Sequence, residues 1–170
     1  MQNKFYITTP IYYVNDKPHL GHAYTSLVAD TVARYKKLLE NKVYFVTGTD
    51  EHGQKVEEAA KQKNILPKNF VDKVSEEFIN LTSFLKLTNN DFIRTSEERH
   101  IAYVKKIWQI LESNGDIYLG SYKGWYSIRD EGFIAENEIT TNDKREKLGP
   151  SGDKLKWLEE PSYFFKLSKW

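Results

Sequence analysis

An α/β fold is expected of these 170 residues: a parallel sheet whose strands alternate with helices, followed by a smaller antiparallel unit. Three features carry that expectation. Short β-branched and aromatic runs alternate with segments of helical period through residue 114. A polar loop between two prolines stands where the first strand hands over to the first helix, Pro10-Ile11-Tyr12-Tyr13-Val14-Asn15-Asp16-Lys17-Pro18-His19-Leu20-Gly21-His22. From Asp116 onward the texture changes to short aromatic runs separated by turns.

The first strand is read over 5–9 from Phe5-Tyr6-Ile7-Thr8, and the first helix over 22–40, with Val28, Val32, Tyr35 and Leu39 on one face. A second buried strand, 43–47, runs into Gly48-Thr49-Asp50-Glu51-His52-Gly53 and a helix over 54–63. Strand, helix, strand is the parallel-sheet unit, with a right-handed crossover. Pro67 opens the next helix, whose apolar face is Val71, Val74, Phe78, Leu81 and Leu85. Phe92-Ile93-Arg94 reads as a third strand, and Thr95 or Ser96 as the cap of a helix carrying Ile101, Val104, Trp108 and Leu111 until Asn114-Gly115 stops it. The division falls at 1–114 and 115–170. In the second part Ile117-Tyr118-Leu119, Gly124-Trp125-Tyr126-Ser127-Ile128, Phe133-Ile134 and Tyr163-Phe164-Phe165-Lys166-Leu167 read as strands of an antiparallel mini-sheet around a polar stretch, 140–154.

Lys plus Arg is 25 against 24 Asp plus Glu, so no broad basic field advertises a nucleic-acid partner. No DNA partner is expected, and any RNA contact is local. Without cysteine the chain forms neither disulfides nor a thiolate zinc site, which fits a reducing, cytoplasmic location. Met1-Gln2-Asn3-Lys4 shows no apolar signal core, and no apolar run reaches the roughly 18 residues of a membrane span, so no membrane role is expected.

The loop has the composition of a nucleotide-triphosphate site. The α-phosphate gains charge under nucleophilic attack, so such a site needs hydrogen-bond donors aimed at oxygens. His19 and His22 are donors on one side of a first helical turn, Gly21 leaves room for a purine or ribose against backbone, and the helix N-terminus adds its dipole. Taken by themselves, His19 can equally be a helix cap and His22 a satisfied core histidine. His19, His22, His52 and Asp50 could also assemble as zinc ligands, although their spacing matches no zinc motif.

The runs from Thr8 to Thr25, Val46-Thr47-Gly48-Thr49-Asp50-Glu51-His52-Gly53, Asp91-Phe92-Ile93-Arg94-Thr95 and Gly115-Asp116-Ile117-Tyr118 together resemble the N-terminal half of the bacterial methionyl-tRNA synthetases, class I aminoacyl-tRNA synthetases. His19-Leu20-Gly21-His22 is similar to the His-Ile-Gly-His signature of the superfamily, and the Asp50 block is the more specific part. The resemblance implies a Rossmann-like nucleotide-binding half domain followed by part of a small antiparallel connective domain. It implies activation of methionine with ATP and magnesium to methionyl-adenylate, and transfer to tRNA(Met). It also puts His19, Gly21 and His22 at ATP and Asp50 at the methionine ammonium. Pro10, Ile11 and Tyr13 then wall the side-chain pocket, and His52 lines the site. Taken alone, Asp50 can be a turn or cap residue, and Pro10, Ile11 and Tyr13 core.

Two departures stand out. Where many relatives carry a zinc knuckle with Cys-x-x-Cys pairs, Tyr126-Ser127-Ile128-Arg129-Asp130 stands instead, so no zinc is expected. The insert then holds by Trp125, Tyr126, Phe133, Trp157, Tyr163 and Phe164. The family also needs a Lys-Met-Ser-Lys-Ser loop. Lys166-Leu167-Ser168-Lys169 is similar to it but follows an aromatic strand, and reads as a solvated edge. The chain is therefore expected to be part of a longer enzyme and to form negligible adenylate alone. Two alternatives share its features: a small-molecule nucleotidyl transferase of the same superfamily, which lacks the Asp50 block, and a non-catalytic nucleotide-binding module.

Overall fold

The computed structural model describes residues 3–170, apart from the side chain of Glu160. Two compact units divide the chain, Met1–Lys105 and Lys106–Trp170.

The first unit is built on a parallel sheet. Its central strand β3 (Lys42–Asp50) pairs along one edge with β1 (Lys4–Thr8) and then β2 (Tyr12–Tyr13), and along the other with β4 (Asp91–Arg94). The second strand thus runs on from its expected end at Thr47 through Gly48, Thr49 and Asp50. Neighbours on both sides, Tyr12-Tyr13 and Phe92-Ile93-Arg94, supply ladder partners that override the polar composition there.

Helices α1 (Leu20–Leu38), α2 (Gln54–Gln62) and α3 (Pro67–Phe84) connect these strands, and α4 (Glu98–Ser113) follows β4. Pro67 opens α3 as expected, and Val71, Val74 and Phe78 join Tyr12, Val14, Val56, Ala60 and Phe70 in a continuous core. The expected face of α1 is corrected. Val28, Tyr35 and Leu39 are about half exposed, whereas Ser26, Ala29, Asp30 and Ala33 are buried. Small side chains let the helix approach closely, and Ala29 and Ala33 pack on Phe5, Ile7, Val43 and Phe45 of the sheet. Asp30 is satisfied there by the Thr88 N–H and hydroxyl, both at 2.7 Å, and by Arg34 Nε at 2.6 Å. The expected apolar face of α4 is only partly covered: no residue of the helix is buried, Ile101 and Leu111 are half-buried, and Trp108 meets the Tyr163 ring edge-on at 5.1 Å.

The second unit carries a three-stranded antiparallel sheet in the order β6-β5-β9, from β5 (Ile117–Ser127), β6 (Gly132–Ile134) and β9 (Lys156–Phe165), and a short pair, β7 (Thr140–Thr141) with β8 (Lys147–Leu148). The two strands read at 117–119 and 124–128 are one, because β9 pairs β5 continuously from Ile117 opposite Phe165 to Tyr126 opposite Lys156. The aromatic residues meet in pairs, Trp125 on Trp157 at 5.4 Å and Tyr126 on Phe133 at 5.1 Å, but Trp157 and Tyr163 remain half exposed. A polar clasp closes the segment after β5: the Ser127 hydroxyl donates to Asp153 at 2.7 Å and accepts the Asp130 N–H at 2.9 Å, and Ser151 donates to Asp130 at 2.6 Å. Lys169 pairs at 2.5 Å with buried Asp116, and the Lys166 ammonium lies 5.6 Å over the Tyr118 ring, so both lysines are engaged with the start of β5.

Candidate functional site

The loop after β1 leaves the sheet because its register forces it to. Thr8 faces Val46 and Tyr12 faces Thr49, so this edge spends one residue more than β3 does over the same stretch. The surplus makes a bulge, and Pro10, which has no N–H to lose, sits within it. Pro10 and Ile11 are exposed there. The bulge is pinned by a 2.7 Å hydrogen bond between the Thr9 and Thr47 hydroxyls.

His19 is the N-cap of α1, with extended backbone at φ −125° and ψ 178°. Its Nδ1 accepts the Gly21 N–H at 3.1 Å, and His22 Nδ1 accepts the His19 N–H at 3.0 Å. Reciprocal bonds of this kind form a capping box, here made of imidazoles. A nitrogen that accepts carries no proton, so the ring proton of each histidine sits on Nε2, which is left as a donor. The rings lie 3.8 Å apart, centroid to centroid. Burial and then the neighbouring His19 hold the His22 imidazole below its ordinary pKa, which keeps it neutral. Tyr12 and Phe78 meet the His22 ring edge-on at 4.9 and 5.0 Å, and the Tyr12 hydroxyl is fixed by Ser26 at 2.7 Å. The two readings of these histidines are therefore compatible, since capping uses Nδ1 and leaves Nε2. The reading of Gly21 changes, however. A Cβ there would lie 2.9 Å from His19 Cε1, so the space is taken by the His19 ring folded back on its own helix.

Asp50 ends β3 directly beside Tyr13. It is half-buried, and its carboxylate enters none of the side-chain hydrogen bonds or ion pairs of the described residues. Its neighbours point the other way, as strand alternation requires. Glu51 is 4% exposed and gathers donors from several segments. Oε1 accepts Thr49 at 2.8 Å, Ser75 at 2.5 Å and Arg94 Nε at 2.6 Å; Oε2 accepts a second guanidinium nitrogen at 3.0 Å and the Ser96 hydroxyl. Burial opposes ionisation of Glu51, but Arg94 and the three hydroxyls outweigh it and hold the carboxyl below its ordinary range. Arg94 also reaches Asp72 at 2.5 Å. Thr95 and Ser96, expected to cap α4, spend their hydroxyls on Glu51 instead: Thr95 Oγ1 accepts the Glu51 N–H at 2.8 Å. His52 is exposed and lies with Nε2 3.4 Å from the Thr95 carbonyl, the acceptor of that contact. Gly53 then opens α2 at φ 118°.

The structure thus brings His19 and His22 together, and separately Tyr13, Asp50, His52 and Gly53 around the end of β3. Among the described residues no three His, Asp or Glu side chains cluster as metal ligands, which includes His19, His22, Asp50 and His52. Among the described residues no helix is long and apolar enough to cross a membrane.

A family model for "tRNA synthetases class I (M)" matches residues 5–169. The chain belongs to this family. Among curated relatives of this class I synthetase chain, the methionine–tRNA ligase of Rickettsia bellii is 55% identical over all 170 residues, which span 33% of that protein. The Bacillus subtilis methionine–tRNA ligase is 47% identical over 175 aligned positions, covering 99% of this chain and 26% of the relative. The structure of the Mycobacterium tuberculosis methionyl-tRNA synthetase in complex with methionyl-adenylate superposes with a TM-score of 0.88 at 40% identity, over 99% of this chain and 33% of that one. The chain therefore spans about a third of the length of the first relatives it matches. The parallel sheet and its helices are the Rossmann-like arrangement of the class I synthetases. What the sequence reading missed is the Glu51–Arg94 network: both residues stand in runs that carry the resemblance, but nothing in the sequence shows that they pair.

Proposed function

We propose that these residues form the methionine- and ATP-binding part of a cytoplasmic methionine–tRNA ligase, with 1–114 as the N-terminal half of its catalytic domain and 115–170 as the start of the connective insertion. One observation carries the reading: two histidines at a helix N-terminus whose Nδ1 atoms are taken up as acceptors and whose Nε2 atoms are left to donate, with a carboxylate, Asp50, that has no side-chain partner among the described residues at the end of the neighbouring strand. Open α/β sheets bind ligands at such carboxyl ends.

ATP enters with its magnesium ion as substrate. A methionine carboxylate oxygen attacks the α-phosphorus, the bond to the β-phosphate oxygen breaks, and pyrophosphate leaves with that electron pair. His19 and His22 donate to the oxygens whose charge grows, a role worth about 3–4 kcal/mol per donor in comparable sites. Gly21 brings the backbone of the first turn to the same place. Asp50 receives the methionine ammonium in a charge-assisted bond, with Pro10, Ile11, Tyr13 and His52 around the amino acid. A ribose hydroxyl of the terminal adenosine of tRNA(Met) then attacks the acyl carbon, and AMP leaves. No general base is needed for the first step, because the nucleophile is already ionised.

The test is ATP–pyrophosphate exchange by the gene product that carries these 170 residues, screened over the amino acids. Exchange with methionine alone is expected. Exchange driven by another amino acid, or indifferent to all of them, overturns the proposal.

A further inference from the structure

In the run Thr49–His52 every side chain but that of Asp50 has a hydrogen-bond partner among the described residues, while the Asp50 backbone pairs with Tyr13 and accepts the Val14 N–H at 3.3 Å. Thr95 accepts the Glu51 N–H at 2.8 Å and donates its own N–H to the Thr49 carbonyl at 3.2 Å, so the residues on either side of Asp50 are tied to one partner. The Thr95 carbonyl lies 3.4 Å from His52 Nε2. The Glu51 side chain, fully buried, is the anchor that fixes this clamp to the rest of the unit: it collects hydroxyls from Thr49, Ser75 and Ser96 and both arms of the Arg94 fork. Parallel register places Arg94 beside Thr49, and Ser75 comes from the middle of α3.

A buried charge is an expensive way to hold a fold together, since well-packed apolar residues do so as well or better. What a carboxylate with directed donors on both oxygens provides is a fixed orientation. Glu51 shares a peptide unit with Asp50 and another with His52, so turning the backbone at Glu51 swings both neighbours with it. We infer that Glu51, gripped by Arg94, is a positioning residue that aims Asp50 at the ammonium of the amino-acid substrate. The inference rests on the reading of Asp50 given above. Glu51 itself touches no substrate and acts through its neighbours.

The experiment uses the gene product that carries the chain and measures methionine-dependent exchange. Two controls come first: wild type must respond to methionine and Asp50→Asn must lose that response, and if either fails it is the methionine-site reading that falls. With both satisfied, Glu51→Gln keeps the shape but loses the charge that grips Arg94. The KM for methionine is expected to rise roughly ten- to a hundredfold, as misplacement on the order of an ångström does elsewhere, while the KM for ATP moves less than about threefold. Arg94→Lys, which restores a positive charge without the fork, is expected to show the same split more weakly. Should Glu51→Gln fail to fold, Thr95→Val removes the acceptor of the Glu51 N–H at nearly constant volume and is expected to raise the methionine KM selectively. An unchanged methionine KM in the folded variants, or equal losses in both KM values and kcat, assigns Glu51 to general stability and overturns the inference.

Discussion

Gly53 is where the backbone of the candidate site is least tolerant of a side chain. It precedes α2 at φ 118° and ψ 164°, and a Cβ there would lie 2.3 Å from the Tyr13 hydroxyl oxygen and 3.3 Å from the carbon that bears it. Gly53→Ala therefore carries two separable penalties. Holding alanine in a region that is essentially glycine's alone costs about 1–3 kcal/mol. Relieving an overlap of about 1 Å against a packed ring adds about 1–3 kcal/mol. The expected total is about 2–6 kcal/mol, read as a lower urea midpoint, with amide exchange in α2 showing where the loosening begins. Tyr13→Phe separates the parts, because it deletes the overlapping oxygen and leaves only the 3.3 Å contact. In that background the alanine substitution should cost less by about 1–3 kcal/mol, a coupling measured by the double-mutant cycle. A loss under about 1 kcal/mol, or the same loss in both backgrounds, refutes this account of why glycine stands at 53.

Further expectations concern the titrating groups of the first unit. The His22 pKa is lowered from 6.5 by burial and His19, so the unfolded chain binds the proton more readily, and stability falls as pH drops through 6.5 toward the folded value. Glu51 and Asp30 are held below 4.5 and 3.8, burial being outweighed by their hydrogen bonds; their contributions are present above those values and fade as pH falls through the lower, folded ones. Urea midpoints taken from about pH 8 to about pH 2 should therefore fall toward acid, and a rise on acidification would contradict these assignments. Asp30→Ala leaves the half-buried Thr88 N–H and hydroxyl without their acceptor, and should cost about 1–3 kcal/mol by the same urea assay. A loss below about 1 kcal/mol would mean that water replaces the carboxylate.

Strand and helix positions were readable from the sequence because each has its own period, and so was the site loop, where a histidine pair and an acidic block stand at strand ends. The contact face of α1 was not. Hydrophobic periodicity weighs bulk and pointed to Val28, Tyr35 and Leu39, whereas close approach to a sheet selects for small size and buries Ala29 and Ala33. Nor was the role of Glu51 readable. Its partners lie far along the chain, and only the parallel register that sets Thr49 beside Arg94 brings them to one carboxylate. The single long β5 escaped for a related reason, since its middle is strand only because β9 pairs it.

The capping box makes one further separation possible, between histidine as cap and histidine as donor. On the proposed reading both functions occupy one ring at His19, with Nδ1 accepting the Gly21 N–H and Nε2 left to donate. Asparagine is among the best N-cap residues, and its side-chain oxygen can take over the bond that Nδ1 accepts. It has nothing at the place of Nε2. His19→Asn should therefore leave the stability of the first unit within about 0.5 kcal/mol of wild type. Over the same substitution, methionine-dependent exchange should drop about 10²–10³-fold, the loss seen when one transition-state donor is removed. A cap-only histidine predicts that exchange is retained together with stability, because asparagine preserves the cap. Retained exchange in a stable His19→Asn variant would thus remove His19 from the chemistry and leave it as the residue that starts α1.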